Sequence, residues 1–195
     1  MIHVLNVMFL TACGSALHFA YAFSGNSAWV APFVAIDESV WEHGKLLFWP
    51  LVLLALLYAA LWALPLRSLM QGVATGAATA IGVMITGFYA YTAWLGYNLL
   101  VIDLLLFVAS VISGYTVGWA AFRSEFAARH PVPGYVLLAI LGVGFCAFSF
   151  WKPPMALFHE GAGTLSASCH HDAHCGTGSI HLLVANIGER TRRLA

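Results

Sequence analysis

Long apolar runs separated by short polar clusters set the organisation of this chain. A helix needs roughly 20 apolar residues to cross a hydrocarbon core of about 30 Å, and five stretches meet or nearly meet that length. The first covers residues 4–23, with His18 as the only side chain that can carry charge near neutral pH. The second covers 46–66 and is closed by Pro65 and Arg67. Between Arg67 and Asp103 no charged residue occurs, which is too long for one helix. Gly96-Tyr97-Asn98 supplies the turn and divides this stretch into spans near 69–94 and 99–122. The fifth runs over 134–151, between the Pro131/Pro133 pair and Lys152-Pro153-Pro154. The pattern predicts an all-α fold, a polytopic integral membrane helical bundle of about five transmembrane helices over 1–158. A polar Cys/His-containing tail follows over 159–195.

Composition strengthens this reading. Hydrophobic residues make up 61% of the 195, against about 45–50% in soluble domains. Charged residues make up 8%, against about 25%. The formal net charge is zero, so the chain has no basic footprint for nucleic acid. Seven Trp and seven Tyr suit the aromatic belts where a bilayer meets water. The expected partner is therefore the lipid bilayer. Ala20-Tyr21-Ala22 resembles a cleavage site, but no Lys or Arg precedes the apolar run, and the run is long enough to span. It is expected to stay as the first span. With five spans, Arg67, Arg123 and Arg129 fall on the face of the N-terminus, and Lys45 and Lys152 on the other. The excess of basic residues predicts a cytoplasmic N-terminus and an extracytoplasmic C-terminus.

Small residues recur every fourth position in the third and fourth spans. Gly72 and Gly76 form one such series, Ala74, Ala78 and Gly82 a second, and Ser110, Gly114 and Gly118 a third. This spacing lets helix backbones approach closely in lipid. It serves packing within the bundle or a homo-oligomer interface.

The densest polar stretch is DESVWEHGKLLFWP, Asp37–Pro50, with three carboxylates, His43 and Lys45 in its first nine residues. On a helix, Glu38 shares a face with Glu42 and Ser39 with His43. Antiparallel spans bring His18, this stretch, Tyr89, Tyr91, Thr92, Asn98 and Asp103 to one membrane face. An ionisable residue within a membrane marks a functional site by default. His18, His43 and Asp103 are the candidate metal ligands, with Zn²⁺ the ion that imidazole and carboxylate suit. Glu38 and Glu42 are the candidate catalytic bases. Bound water would then attack a lipid or a small ester. The same carboxylates and histidines could instead relay protons or a transported cation. In the structural alternative, Asp103 pairs with Lys45, and Asp37, Glu38 and Ser39 simply start a helix.

The tail carries Cys169-His170-His171-Asp172-Ala173-His174-Cys175. Soft-metal binding, a Cys169–Cys175 disulfide on the extracytoplasmic side and a disordered His-rich tail all fit these residues. Cys13 and Cys146 lie in apolar spans and read as packing residues.

Four segments resemble one family: LHFAYAFSGN (Leu17–Asn26), ESVWEHGKLLFWP (Glu38–Pro50), YAYTAWLGYNLLVID (Tyr89–Asp103) and, more loosely, KPPMALF (Lys152–Phe158). Residues 1–160 are similar to a family of small bacterial membrane proteins catalogued as domain of unknown function 6512. The resemblance implies a polytopic helical membrane protein and brings no established activity. Its motif positions fall on His18, Glu38, Trp41, Glu42, His43, Lys45, Asn98 and Asp103. The chain departs from the family's pattern at Asp37, where Asn is typical, and in the long tail after Phe158. Three functions follow as expectations: a membrane-embedded metal-dependent hydrolase, a proton- or cation-coupled transporter, or a non-catalytic membrane scaffold.

Overall fold

The computed structural model describes residues 1–125 and 129–158. The tail readings, including those on Cys169 and Cys175, lie outside the described residues. Among the described residues, five long α-helices follow one another: α1 (Ile2–Phe23), α2 (Val40–Trp62), α3 (Leu66–Leu95), α4 (Leu100–Phe122) and α5 (Val132–Phe148). A 3₁₀ turn, Ala156–Phe158, closes the described chain. Among the described residues there is no strand.

Among the described residues four helices, α1 to α4, are long and apolar enough to cross a membrane. The fifth has 17 residues and rises about 26 Å at 1.5 Å per residue. Its ends nevertheless lie at opposite faces of the bundle. Gly134 abuts Gln71 near the start of α3, and Ser149, just past its end, bonds Lys45 near the start of α2. Aliphatic side chains such as Leu53, Leu56, Leu104, Leu105, Ile140 and Val143 point outward. An apolar outer surface over helices of this length is the signature of a bundle solvated by lipid. The chain is a multi-pass membrane protein.

Local chemistry sets the helix ends. Ser39 caps α2, its hydroxyl accepting the Glu42 N–H at 3.4 Å, which satisfies a donor the helix itself leaves free. α2 ends on Ala63 in the left-handed region, φ 50°, two residues before Pro65. Gly96 ends α3 with φ 81°, a conformation glycine adopts without strain. α2 starts six residues earlier than the apolar run suggests. Glu42 and Lys45 satisfy each other at 2.6 Å with both side chains fully buried, so two charges enter the helix without facing lipid.

The helices run antiparallel from α1 to α4, with α2 packed against both α1 and α3. The closest seam joins α3 to α4. A Cβ on Gly76 would lie 2.7 Å from the Gly114 carbonyl, and one on Gly118 would lie 2.7 Å from that of Gly72. These glycines therefore serve packing within the chain. Ala78 and Gly82 face outward instead. Where α1 crosses α2, a Cβ on Gly14 would lie 2.7 Å from the Leu46 carbonyl. That carbonyl lacks its usual helical donor, because the residue four positions on is Pro50. The core between these helices is built from Leu10, Leu46, Leu47, Ala80, Phe107 and Val111. α5 closes a smaller cluster by inserting Phe145 against Phe48 and Trp41.

Candidate metal centre

Three elements converge at the face opposite Met1. α1 carries His18 just over one turn before its end. α2 carries His43 in its first turn. The loop over 24–39 crosses between them and presents Glu38 directly before the cap residue Ser39. The Glu38 carboxylate lies between the two rings: Oε1 is 3.5 Å from His18 Nε2 and Oε2 is 3.6 Å from His43 Nε2. One ligand atom from each residue lies within 4.8 Å of the others. The ring centroids are 5.3 Å apart. Both imidazoles are about a quarter exposed and Glu38 is 56% exposed, so solvent reaches one side of the group.

The tautomer of His43 follows from its second nitrogen. Nδ1 lies 2.9 Å from the Ser39 carbonyl, and a carbonyl oxygen only accepts. Nδ1 therefore carries the proton and donates. In the neutral ring Nε2 then turns a lone pair toward a carboxylate, two acceptors face to face. That arrangement is repulsive until a cation or a proton lies between them. The separations of 3.5 and 3.6 Å exceed good hydrogen-bond lengths. They lie close to the separation of about 3.4 Å between donors that are about 2.1 Å from a tetrahedral Zn²⁺, and each is made by a different oxygen of the carboxylate. The Ser39 carbonyl supplies the outer-shell contact that ligating histidines ordinarily have. His18 Nδ1 is buried without a hydrogen-bond partner, which leaves Nε2 as its working atom.

The structure joins His18 and His43 as the sequence suggested, but the carboxylate between them is Glu38. Asp103 lies elsewhere: it accepts a hydrogen bond from the Tyr91 hydroxyl, and the carboxylate grouped with the two imidazoles is that of Glu38. The anticipated Asp103–Lys45 pair is also absent, because Lys45 is engaged by Glu42. Glu42, the second expected base, is bonded elsewhere. It is fully buried, and its Oε2 accepts from Lys45 at 2.6 Å and from the Ile36 N–H at 3.0 Å.

Two contacts were not anticipated. Lys152 donates to Asp37, tying the segment after α5 to the loop. Burial works to raise the Asp37 pKa, yet bonds from Lys152 and Ser39 outweigh it and hold the carboxyl below its ordinary range. Glu42 also answers Ser39 in an S-x-x-E sequence, the capping-box spacing. That spacing marks the true start of α2, and its Glu turns to the loop instead of the cap.

Comparison with curated proteins and with solved structures returns no match. The four membrane-crossing helices and the His18–Glu38–His43 group lie within residues 1–165, which match the family of unknown function DUF6512, and the chain belongs to that family.

Proposed function

We propose that this protein is a membrane-embedded, metal-dependent hydrolase whose Zn²⁺ is held by His18, Glu38 and His43. The observation that carries this reading is the pair of separations, 3.5 and 3.6 Å, between one carboxylate and two imidazole Nε2 atoms. Two histidines and a glutamate are a ligand set of catalytic zinc, with the fourth position left to water. Such a centre supplies a water ionised near neutral pH. His43 is oriented by Ser39, and Glu38 balances the charge of the ion. His18 stands just over one turn from the end of α1 and His43 in the first turn of α2, positions that suit a substrate with a polar and an apolar part. The substrate class is accordingly a lipid or a small ester. The distribution of Arg67, Arg123 and Arg129 supports a cytoplasmic N-terminus in a bacterial inner membrane, with the site on the outer side.

The test is zinc content of the full chain in detergent, compared with His18→Ala, Glu38→Gln and His43→Ala. Each substitution is expected to remove about one ion per chain, whatever the tail binds. Equal zinc in all four proteins would end this reading. Hydrolysis of vesicle-borne and soluble esters by the zinc-loaded protein then tests the reaction.

A second reading rests on the same bridging carboxylate. One proton shared by Glu38 and either imidazole makes a relay, so the group also suits a proton- or cation-coupled transporter. Ion-coupled flux in liposomes that is lost in Glu38→Gln would favour it.

A further inference from the structure

Lys45 stands at the centre of a second polar group, and that group grips the loop carrying Glu38. Its ammonium is fully buried and donates to Glu42 Oε2 at 2.6 Å, Ser149 Oγ at 2.7 Å and the Ala31 carbonyl at 3.0 Å, with the Val34 carbonyl at 3.4 Å. Glu42 takes the Ile36 N–H. One charge pair on α2 thus binds three backbone groups of the loop and the end of α5. Ala31, Val34 and Ala35 are buried beside it. Farther along the loop, Asp37 accepts from Lys152 and from the Ser39 N–H. Glu38 stands between these anchored residues, and its carboxylate reaches the two imidazoles.

A buried ion pair is a poor source of net stability, because apolar residues of the same volume often serve as well. What apolar residues lack is a set of donors for loop carbonyls. The Lys45 ammonium has three N–H groups and directs them to a carboxylate, a hydroxyl and the loop. Its contribution is therefore to the position of the loop.

Resting on the three-ligand reading above, we propose that Lys45 is the positioning residue that holds Glu38 against His18 and His43, acting through Glu42 and the Ala31 and Val34 carbonyls. Lys45 does not touch the metal position. Its effect is transmitted by the backbone over 31–38.

Two measurements on the full chain in detergent test this. The first is bridging of His18→Cys to Glu38→Cys by a short bifunctional thiol reagent, scored by mass spectrometry as the linked 18–38 product. It is run with and without Lys45→Met/Glu42→Met, a pair that leaves no stranded charge. The second is zinc affinity of Lys45→Met/Glu42→Met with His18 and Glu38 intact. Helical circular dichroism reports whether the fold persists. The expected result is an unchanged helical signal, bridging reduced about fivefold or more, and zinc affinity lower by about 10- to 100-fold, the range for outer-shell partners. Unchanged bridging in a folded protein would overturn the proposal, whatever the zinc affinity does. Reduced bridging in a protein whose parent binds no zinc would retain the hold of Lys45 on Glu38 and reject the metal reading alone. Should the methionine pair fail to fold, Lys45→Gln/Glu42→Gln keeps polar groups but shortens the reach to the loop, and it is read in the same way.

Discussion

The Ser39 carbonyl accepts two hydrogen bonds from His43, one from its backbone N–H at 3.2 Å and one from ring Nδ1 at 2.9 Å. The residue that caps α2 thus also fixes the imidazole one turn on. The Ser39 side chain and its backbone do separate things, and substitution can divide them. Ser39→Ala removes the hydroxyl that caps the helix and should cost about 1 kcal/mol of stability. It leaves the carbonyl, so zinc affinity should change by less than about threefold. His43→Ala should abolish the site with a smaller effect on stability. Thermal unfolding and zinc titration of the two variants check this. A large loss of zinc in Ser39→Ala would mean that the cap itself shapes the site.

Breaking the buried charge pair on one side should be worse than removing it. Lys45→Ala strands the fully buried Glu42 carboxylate, a loss on the order of 3–5 kcal/mol. Lys45→Met/Glu42→Met strands no charge and should be markedly more stable than Lys45→Ala. Denaturation midpoints of the two variants beside the wild type provide the comparison. The opposite ranking would show that the Glu42 carboxylate finds another partner.

The Asp37–Lys152 contact predicts a pH dependence with a definite sign. The folded carboxyl titrates below its ordinary value, so the folded state favours the ionised form. Its stabilising effect is complete above the unfolded value, about 3.9. It declines as pH falls below that and through the folded value. The unfolding midpoint of the wild type should exceed that of Asp37→Asn at pH 6, and the two should converge toward pH 3. Parallel curves over that range would mean that Asp37 gains nothing from Lys152.

The helical bundle was legible because each span carries its own signal: length, apolarity and a break at Pro65, Gly96 or Pro131. The start of α2 was less so. Hydropathy alone cannot say that Glu42 and Lys45 neutralise each other inside a bundle, although the S-x-x-E spacing did mark the helix start. His18 and His43 could be grouped from topology, since antiparallel spans fix depth. The choice between Glu38 and Asp103 could not, because it depends on rotation about the helix axis and on the path of the loop over 24–39. Tyr91 takes Asp103 through a contact twelve residues apart that no periodicity encodes. The hold of Lys152 on Asp37, across most of the chain, is likewise visible only after folding.

The α3–α4 seam yields a prediction in which two similar substitutions have opposite signs. A Cβ at Gly76 would lie 2.7 Å from the Gly114 carbonyl, whereas at Gly82, on the same helix, it would meet open space. Gly76→Ala must push α3 away from α4, and overpacking of this kind costs about 1–3 kcal/mol. Gly82→Ala adds helix propensity without a clash and should stabilise by about 0.5–1 kcal/mol. Unfolding midpoints in detergent separate the two, since a general preference for alanine in helices would raise both. A neutral Gly76→Ala would mean that the helices are not joined along Gly72, Gly76, Gly114 and Gly118. The outward pair Ala78 and Gly82 is free to meet a second copy of the chain. Gly82→Leu should leave the fold intact, and a shift to smaller particles by sizing with light scattering would assign that pair to a contact between copies.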